Sequence, residues 1–308
     1  MAAELILHHY GVSPFSEKLR LVLGMKRLAW RSVDVPRVLP KPDVMPLTGG
    51  YRRTPFLQIG ADVYCDTRLA CLVIDALAPA PPLYPAAVRG LAEIVAEWAD
   101  TQLFWLAVPF TMQPSTVAHM FPDATPASMK AFAEDRAAMS PNFVRATIPD
   151  ASAQLATYFG RIEQMLGDGR PYLLGAEPSI ADVSAAHPLW YMRKAPPIGA
   201  MLDGYPKLAA WHARVLAFGH GTPTELSAAD ALAVASGASG HAVTTVAEHA
   251  GFAAGDAVTV TPTDYARDSV SGQLVGLTQD EVVVERRDER AGVVHVHFPR
   301  VGFQIKKA

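Results

Sequence analysis

Tyr10-Gly11-Val12-Ser13-Pro14-Phe15-Ser16 is the stretch on which the reading of this chain turns. Before it, Glu4–His9 is a short apolar run of the kind that forms a buried strand. After it, Phe15, Leu19, Val22 and Leu23 recur at helical spacing. Between the two, Ser13 is a natural N-cap and Pro14 suits the first helical turn. A strand therefore runs straight into a capped helix. A hydroxyl at such a helix start lies where the dipole favours an anion. A thiol bound beside it would ionise below the free value of about 8.5.

Working outward, Arg20, Lys26 and Arg27 fall in later turns of that helix, where cations suit its dipole. Trp30–Val35 reads as a second strand, and Lys41–Tyr51 as a loop broken by Pro and Gly with at most a short helix. Pro55–Ile59 and Val63–Cys65 form a hairpin around Gly60-Ala61-Asp62, and Asp66–Ala78 a helix. The order βαβ then ββα predicts a small α/β sandwich over residues 1–80.

Residues 86–225 read as all-helical. Ala86–Val108 is periodic, Pro114, Pro122 and Pro126 interrupt, and helices resume at Pro126–Met139, Ala151–Leu166 and Tyr205–Phe218. Ser179-Ile180-Ala181-Asp182 has the form of a capping box before a buried helix. Residues 226–250, rich in small side chains, read as a linker. In 251–308, Ala257–Thr261, Gln273–Leu277, Glu281–Glu285, Val293–Phe298 and Phe303–Lys306 predict a small all-β, barrel-like unit with no assigned role.

Composition narrows the classes. With 27 Lys and Arg against 30 Asp and Glu among 308 residues, the net charge of −3 gives no field for nucleic acid or anionic lipid. Half the residues are hydrophobic, too many for a disordered chain. No uncharged apolar run approaches the roughly 18 residues of a membrane helix, and the start lacks the basic region of a signal peptide. Cys65 and Cys71 form neither a CxxC pair nor a metal-ligand spacing. His295 and His297 share a strand face, but no third ligand lies in register, so no metal is expected. A cytoplasmic protein with no nucleic-acid and no membrane partner follows.

Four features stand in one order: Tyr10–Ser16; Thr54-Pro55-Phe56-Leu57; Asp66-Thr67 opening a helix; and the Ser179–Asp182 box. In that order they resemble the glutathione S-transferase family, and Ser-Pro-Phe is similar to the opening of its tau-type plant members. The resemblance implies a thioredoxin-like N-terminal domain, an all-helical second domain, glutathione as co-substrate and, as is usual there, a homodimer.

It also implies roles. The Ser13 hydroxyl would donate to the glutathione thiolate, with Tyr10 as the alternative. Thr54 before a cis Pro55 would pair with the ligand backbone, and Asp66 and Thr67 would receive its γ-glutamyl end. Arg53, or Arg52, would meet the glycine carboxylate. Tyr10, Val12, Phe104, Trp105 and Val108 would face an electrophilic, mostly apolar small molecule. The expected activity is a glutathione transferase of detoxifying type. The alternative is a non-catalytic binding or assembly protein acting through its C-terminal β unit.

Overall fold

The computed structural model describes residues 4–141, 144–247 and 251–308. Strand β1 (Ile6–His9) leads into helix α1 (Pro14–Met25) and strand β2 (Ala29–Asp34). A single turn, α2 (Met45–Thr48), precedes the hairpin β3 (Phe56–Ile59) and β4 (Asp62–Cys65), and α3 (Thr67–Leu77) completes the first unit. β1 pairs parallel with β2 and antiparallel with β3, which pairs antiparallel with β4. This is the expected thioredoxin-like sheet.

The helical unit follows with α4 (Arg89–Trp98), a π-helical turn at Ala99–Leu103, and α5 (Phe104–Thr111). Then come α6 (Val117–Met120), α7 (Pro126–Met139), α8 (Ile148–Met165), α9 (Ile180–Arg193), α10 (Pro196–Gly199) and α11 (Pro206–Leu216). The periodic run Ala86–Val108 is thus one helical path interrupted by a π turn, a feature frequent at functional sites. Asp182 closes the carboxylate half of the α9 capping box, accepting the Ser179 N–H at 2.9 Å. No helix among the described residues is long and apolar enough to cross a membrane.

Past α11 the chain returns to the sheet. Strand β5 (Thr222–Glu225) adds parallel to β2, and α12 (Ala228–Ser236) follows. That helix occupies part of the segment read as a linker. Alanine-rich residues are strong helix formers, and Ser227 caps this run by accepting the Asp230 N–H at 3.0 Å.

The five expected C-terminal strands form as β6 (Ala257–Pro262), β7 (Val270–Leu277), β8 (Glu281–Asp288), β9 (Gly292–Pro299) and β10 (Phe303–Lys307). β6 to β9 run as a meander, and β10 pairs back onto β6. Only Arg300–Gly302 link β9 to β10, a span of about 10 Å, so the five strands must curl to bring their ends together. Phe298 and Phe303 accordingly meet with ring centroids 5.5 Å apart.

The finding that local sequence patterns do not contain is a seam. β9 pairs parallel with β4, matching Asp62 to His295 and Tyr64 to His297, so all ten strands form one sheet. Strand alternation sorts side chains to its two faces. Leu7 and Leu57 pack with α1, α3 and the helical unit. Ile6, Val33, Phe56 and Val63 pack instead with Leu232 of α12 and with Val258, Val284 and Phe298. The single turn of α2 is too small to cover that second face, and the C-terminal strands complete it.

Candidate active site

Ser13 caps α1 as its sequence requires: its Oγ accepts the Ser16 N–H at 3.2 Å, and the residue is buried. The preceding loop is clamped from the helix. Arg20 donates to the Gly11 carbonyl at 3.0 Å and to Glu17 at 2.6 Å, and it lies 3.0 Å from His9 Nδ1. Arg20 and Lys26, expected in the later turns where cations suit the helix dipole, are buried and partnered; Lys26 binds Asp75 and the Ala78 and Pro81 carbonyls.

A cavity of about 410 Å³ opens beside this helix start. Arg53, Thr54, Pro55, Asp66, Thr67 and Trp105 all line it, together with Phe15 of α1. Ser13, Tyr10, Val12, Phe104 and Val108 are not among its lining residues. Phe104 is buried behind Phe15, ring centroids 4.6 Å apart, while Val12 and Val108 pack against the cluster of Met120, Phe121 and Tyr191. Tyr10 packs against the second core, on the sheet face covered by the C-terminal strands.

The Thr54–Pro55 peptide is cis. Behind it, Lys41 donates to Thr54 Oγ1 at 2.9 Å and to the Arg52 carbonyl at 3.0 Å. Burial, then the nearby Arg136 and Arg52, lower this ammonium to about 8 against the pull of Asp135. Arg52 itself is paired with Asp135.

Across the cavity Asp66 caps α3, accepting the Arg68 N–H at 2.9 Å, with φ at 74°. A non-glycine residue held there is strained, and such strain gathers at binding sites. Asp66 makes no ion pair among the described residues, whereas the other lining carboxylates Glu97, Asp100 and Asp264 all do.

Two groups of lining residues are absent from the sequence reading. Asp100 and Thr101 come from the π turn. Lys18 lies 2.5 Å from Asp100 Oδ2, and His187 Nε2 lies 3.0 Å from Oδ1. Burial pushes the Asp100 carboxyl up, but Lys18 and His187 outweigh it and hold the group below the ordinary carboxylate range. This triad ties α1 to the helical unit, with Asp100 itself on the cavity wall.

The second group is Thr263, Asp264 and Tyr265 of the loop after β6, with Phe303 of β10. Arg53 is bound by the Asp264 carboxylate and the Tyr265 carbonyl, and its guanidinium lies over the Tyr265 ring at 3.9 Å. Tyr265 in turn meets Trp105 edge-on at 5.2 Å. No spacing rule links residues 53 and 264, so only the closed sheet reveals this wall.

Known proteins place the architecture. Residues 7–82 match the glutathione S-transferase N-terminal domain, and residues 145–214 the C-terminal domain. A GST-like protein from Pseudomonas syringae is similar over 100% of both chains, with 40% identity and a TM-score of 0.83. A glutathione S-transferase from Rhodospirillum rubrum F11 shares 22% identity over 69% of this chain and 87% of its own, with a TM-score of 0.53. The tau-class enzyme from mango, Mangifera indica, shares 16% over 70% of this chain and 90% of its own, at 0.50. These two share the fold alone. No curated protein matches the chain. With both domains matched and a full-length relative at 40% identity, the chain belongs to the glutathione S-transferase family.

Proposed function

We propose that the cavity binds glutathione and that the protein transfers its thiolate to an electrophilic, mostly apolar small molecule. The observation that carries this is the pairing, across one cavity, of the Thr54–cis-Pro55 turn with an Asp66 carboxylate that has no ion-pair partner among the described residues. The turn offers an extended peptide edge for a ligand backbone. Asp66 and the free N–H groups at the α3 start suit a group bearing both an ammonium and a carboxylate, as the γ-glutamyl end does. Ser13, capping the adjacent helix, is the thiolate stabiliser in this reading, and Trp105 with Phe15 forms the apolar wall for the second substrate.

Calorimetry with glutathione and S-hexylglutathione tests the site. Both should bind, the alkylated ligand more tightly. Ser13→Ala should then lower kcat/KM with a generic electrophile about a hundredfold, the scale of losing one donor to a developing anion. Glutathione affinity should change little, and the lost cap should cost about 1 kcal/mol of stability. Unchanged turnover would remove Ser13 from that role.

One observation favours the second reading, a binding protein without turnover. Arg53 is already engaged by Asp264 and Tyr265, so a ligand carboxylate must compete for it. Under the transferase reading, Asp264→Asn releases this arginine and tightens glutathione binding by roughly tenfold or more, the value of one charge-assisted contact. Binding of neither ligand, by the wild type or by Asp264→Asn, would sink the transferase reading and leave the C-terminal wall as a surface for some other partner.

A further inference from the structure

In the sequence, His295 and His297 stand alone. The fold brings further donors to them. Asp62 opens β4 and is the register partner of His295 across the β4–β9 seam. His241, in the segment after α12, stacks its ring on that of His295, centroids 3.7 Å apart and planes 13° from parallel. The Nδ1 atoms of His241 and His295 each lie 3.9 Å from Asp62 Oδ1. Both nitrogens are buried and neither has a hydrogen-bond partner. His295 is only 8% exposed. Two buried ring nitrogens left unpaired before one carboxylate oxygen are costly unless something else satisfies them.

The surroundings fix which atoms are available. His295 Nε2 lies 3.2 Å from Glu285 Oε2. An ionised carboxylate only accepts, so the ring proton belongs on Nε2 and the lone pair on Nδ1. A carboxylate behind a histidine is the usual outer support of a metal-bound imidazole. Asp62 is oriented in the same way: Oδ2 accepts the Ala242 N–H at 2.8 Å, and His297 Nε2 lies 2.8 Å from Oδ1. His297 is not itself a ligand, because its other nitrogen lies against Glu281 at 3.2 Å.

We propose that Asp62 Oδ1, His241 Nδ1 and His295 Nδ1 form a site for a divalent transition ion of the zinc type. The three donor atoms already lie within 4.8 Å of one another. Bonds of about 2.0–2.2 Å in a tetrahedral set place ligand atoms about 3.4 Å apart, so each histidine nitrogen closes on Asp62 Oδ1, now 3.9 Å away, by roughly half an ångström. Parallel rings send their lone pairs side by side, so the His241 ring tilts out of the stack to share the ion. Its segment lies outside helix and strand, and its side chain is 22% exposed, which gives the ion its way in. Two imidazoles and one carboxylate select against magnesium and calcium, which take oxygen ligands. Bound there, the ion clips together the β3–β4 hairpin, strand β9 and the segment after α12. Asp62 and Asp66 flank opposite ends of β4, so this site is separate from the cavity.

The test uses the full chain stripped with a chelator. Calorimetric titration with zinc is expected to show one ion per chain with low-micromolar or tighter affinity, and magnesium none. Cobalt should give the visible d–d absorption of a four-coordinate ion. Zinc should raise Tm by on the order of 5 °C. His241→Ala, outside the sheet, should weaken zinc binding at least tenfold and abolish the Tm rise. His119→Ala, at an exposed histidine on α6, should change neither. Absence of stoichiometric zinc binding by the wild type overturns the proposal without recourse to any variant. Equal affinity in the wild type and a folded His241→Ala overturns it as well, marking the ion as adventitious.

Discussion

Acidified from pH 7, the protein is expected to unfold cooperatively near pH 5, well above the range in which most carboxylates titrate. The cause is three histidines folded in their neutral form. Burial lowers His8 to about 4 despite its 2.7 Å hydrogen bond with Gln58. Burial, followed by the charge of Arg20, lowers His9 to about 4. Burial does the same to His212, which lies against Trp211 and the Ala186 carbonyl.

A folded-state value below the unfolded 6.5 means the unfolded chain binds more protons between pH 6.5 and 4. The stabilising contribution is therefore complete above 6.5 and is lost as pH falls toward 4. Three such groups give a slope of up to about 4 kcal/mol per pH unit and about 3 kcal/mol each in total. That sum rivals the whole stability of a typical domain, about 5–15 kcal/mol. His297, raised because Asp62 and Glu281 outweigh its burial, works in the opposite direction and offsets part of this loss. Circular dichroism across pH 7 to 3 reads the midpoint. His212→Gln should move it lower by several tenths of a unit. A wild-type midpoint below pH 4 would mean these rings are not held neutral.

Asp182→Ala should cost about 4 kcal/mol, at about 1 kcal/mol or more for each of the four buried donors it leaves unpaired. This carboxylate is fully buried and accepts four donors: the Leu173 N–H at 2.8 Å, the Ser179 N–H at 2.9 Å, the Ser179 hydroxyl at 3.1 Å and Trp211 Nε1 at 2.9 Å. Alanine leaves all four unpaired in the middle of the helical unit, around the largest fully buried side chain. Asp182→Asn keeps one acceptor oxygen and should lose less than half as much. Urea melts compare the three proteins. A loss below 1 kcal/mol for alanine would show that the donors find other partners.

The contrast between Asp182 and Asp264 shows what the sequence made legible. Ser179 and Asp182 are three residues apart, and a local spacing predicts both the helix start and its buried carboxylate. Ser13-Pro14 and the Thr54–Asp66 segment are equally local, and the elements they open form in the expected order. Asp264 against Arg53, and His241 against Asp62, are separated by some 180 to 210 residues with nothing periodic between them. They meet only because β9 adds to β4, and a three-residue pairing leaves no mark on composition or spacing. The helix within the expected linker is obscured for another reason: its alanines, strong helix formers, run on into a stretch of Gly and Ser, and only the Ser227 cap marks where the helix begins.

The seam also shapes how the chain is made. Ile6, Phe56 and Val63 leave the ribosome early, yet the partners that cover them, such as Val284 and Phe298, follow more than 200 residues later. At about 5–20 residues per second, the wait is roughly 10 to 50 s. Throughout it the nascent N-terminal sheet carries a bare apolar face and an unpaired β4 edge, the features that invite misassembly. Completion of the first domain is thus coupled to β8 and β9, made long after it, and the newborn protein is a natural client for a holding chaperone until those strands arrive.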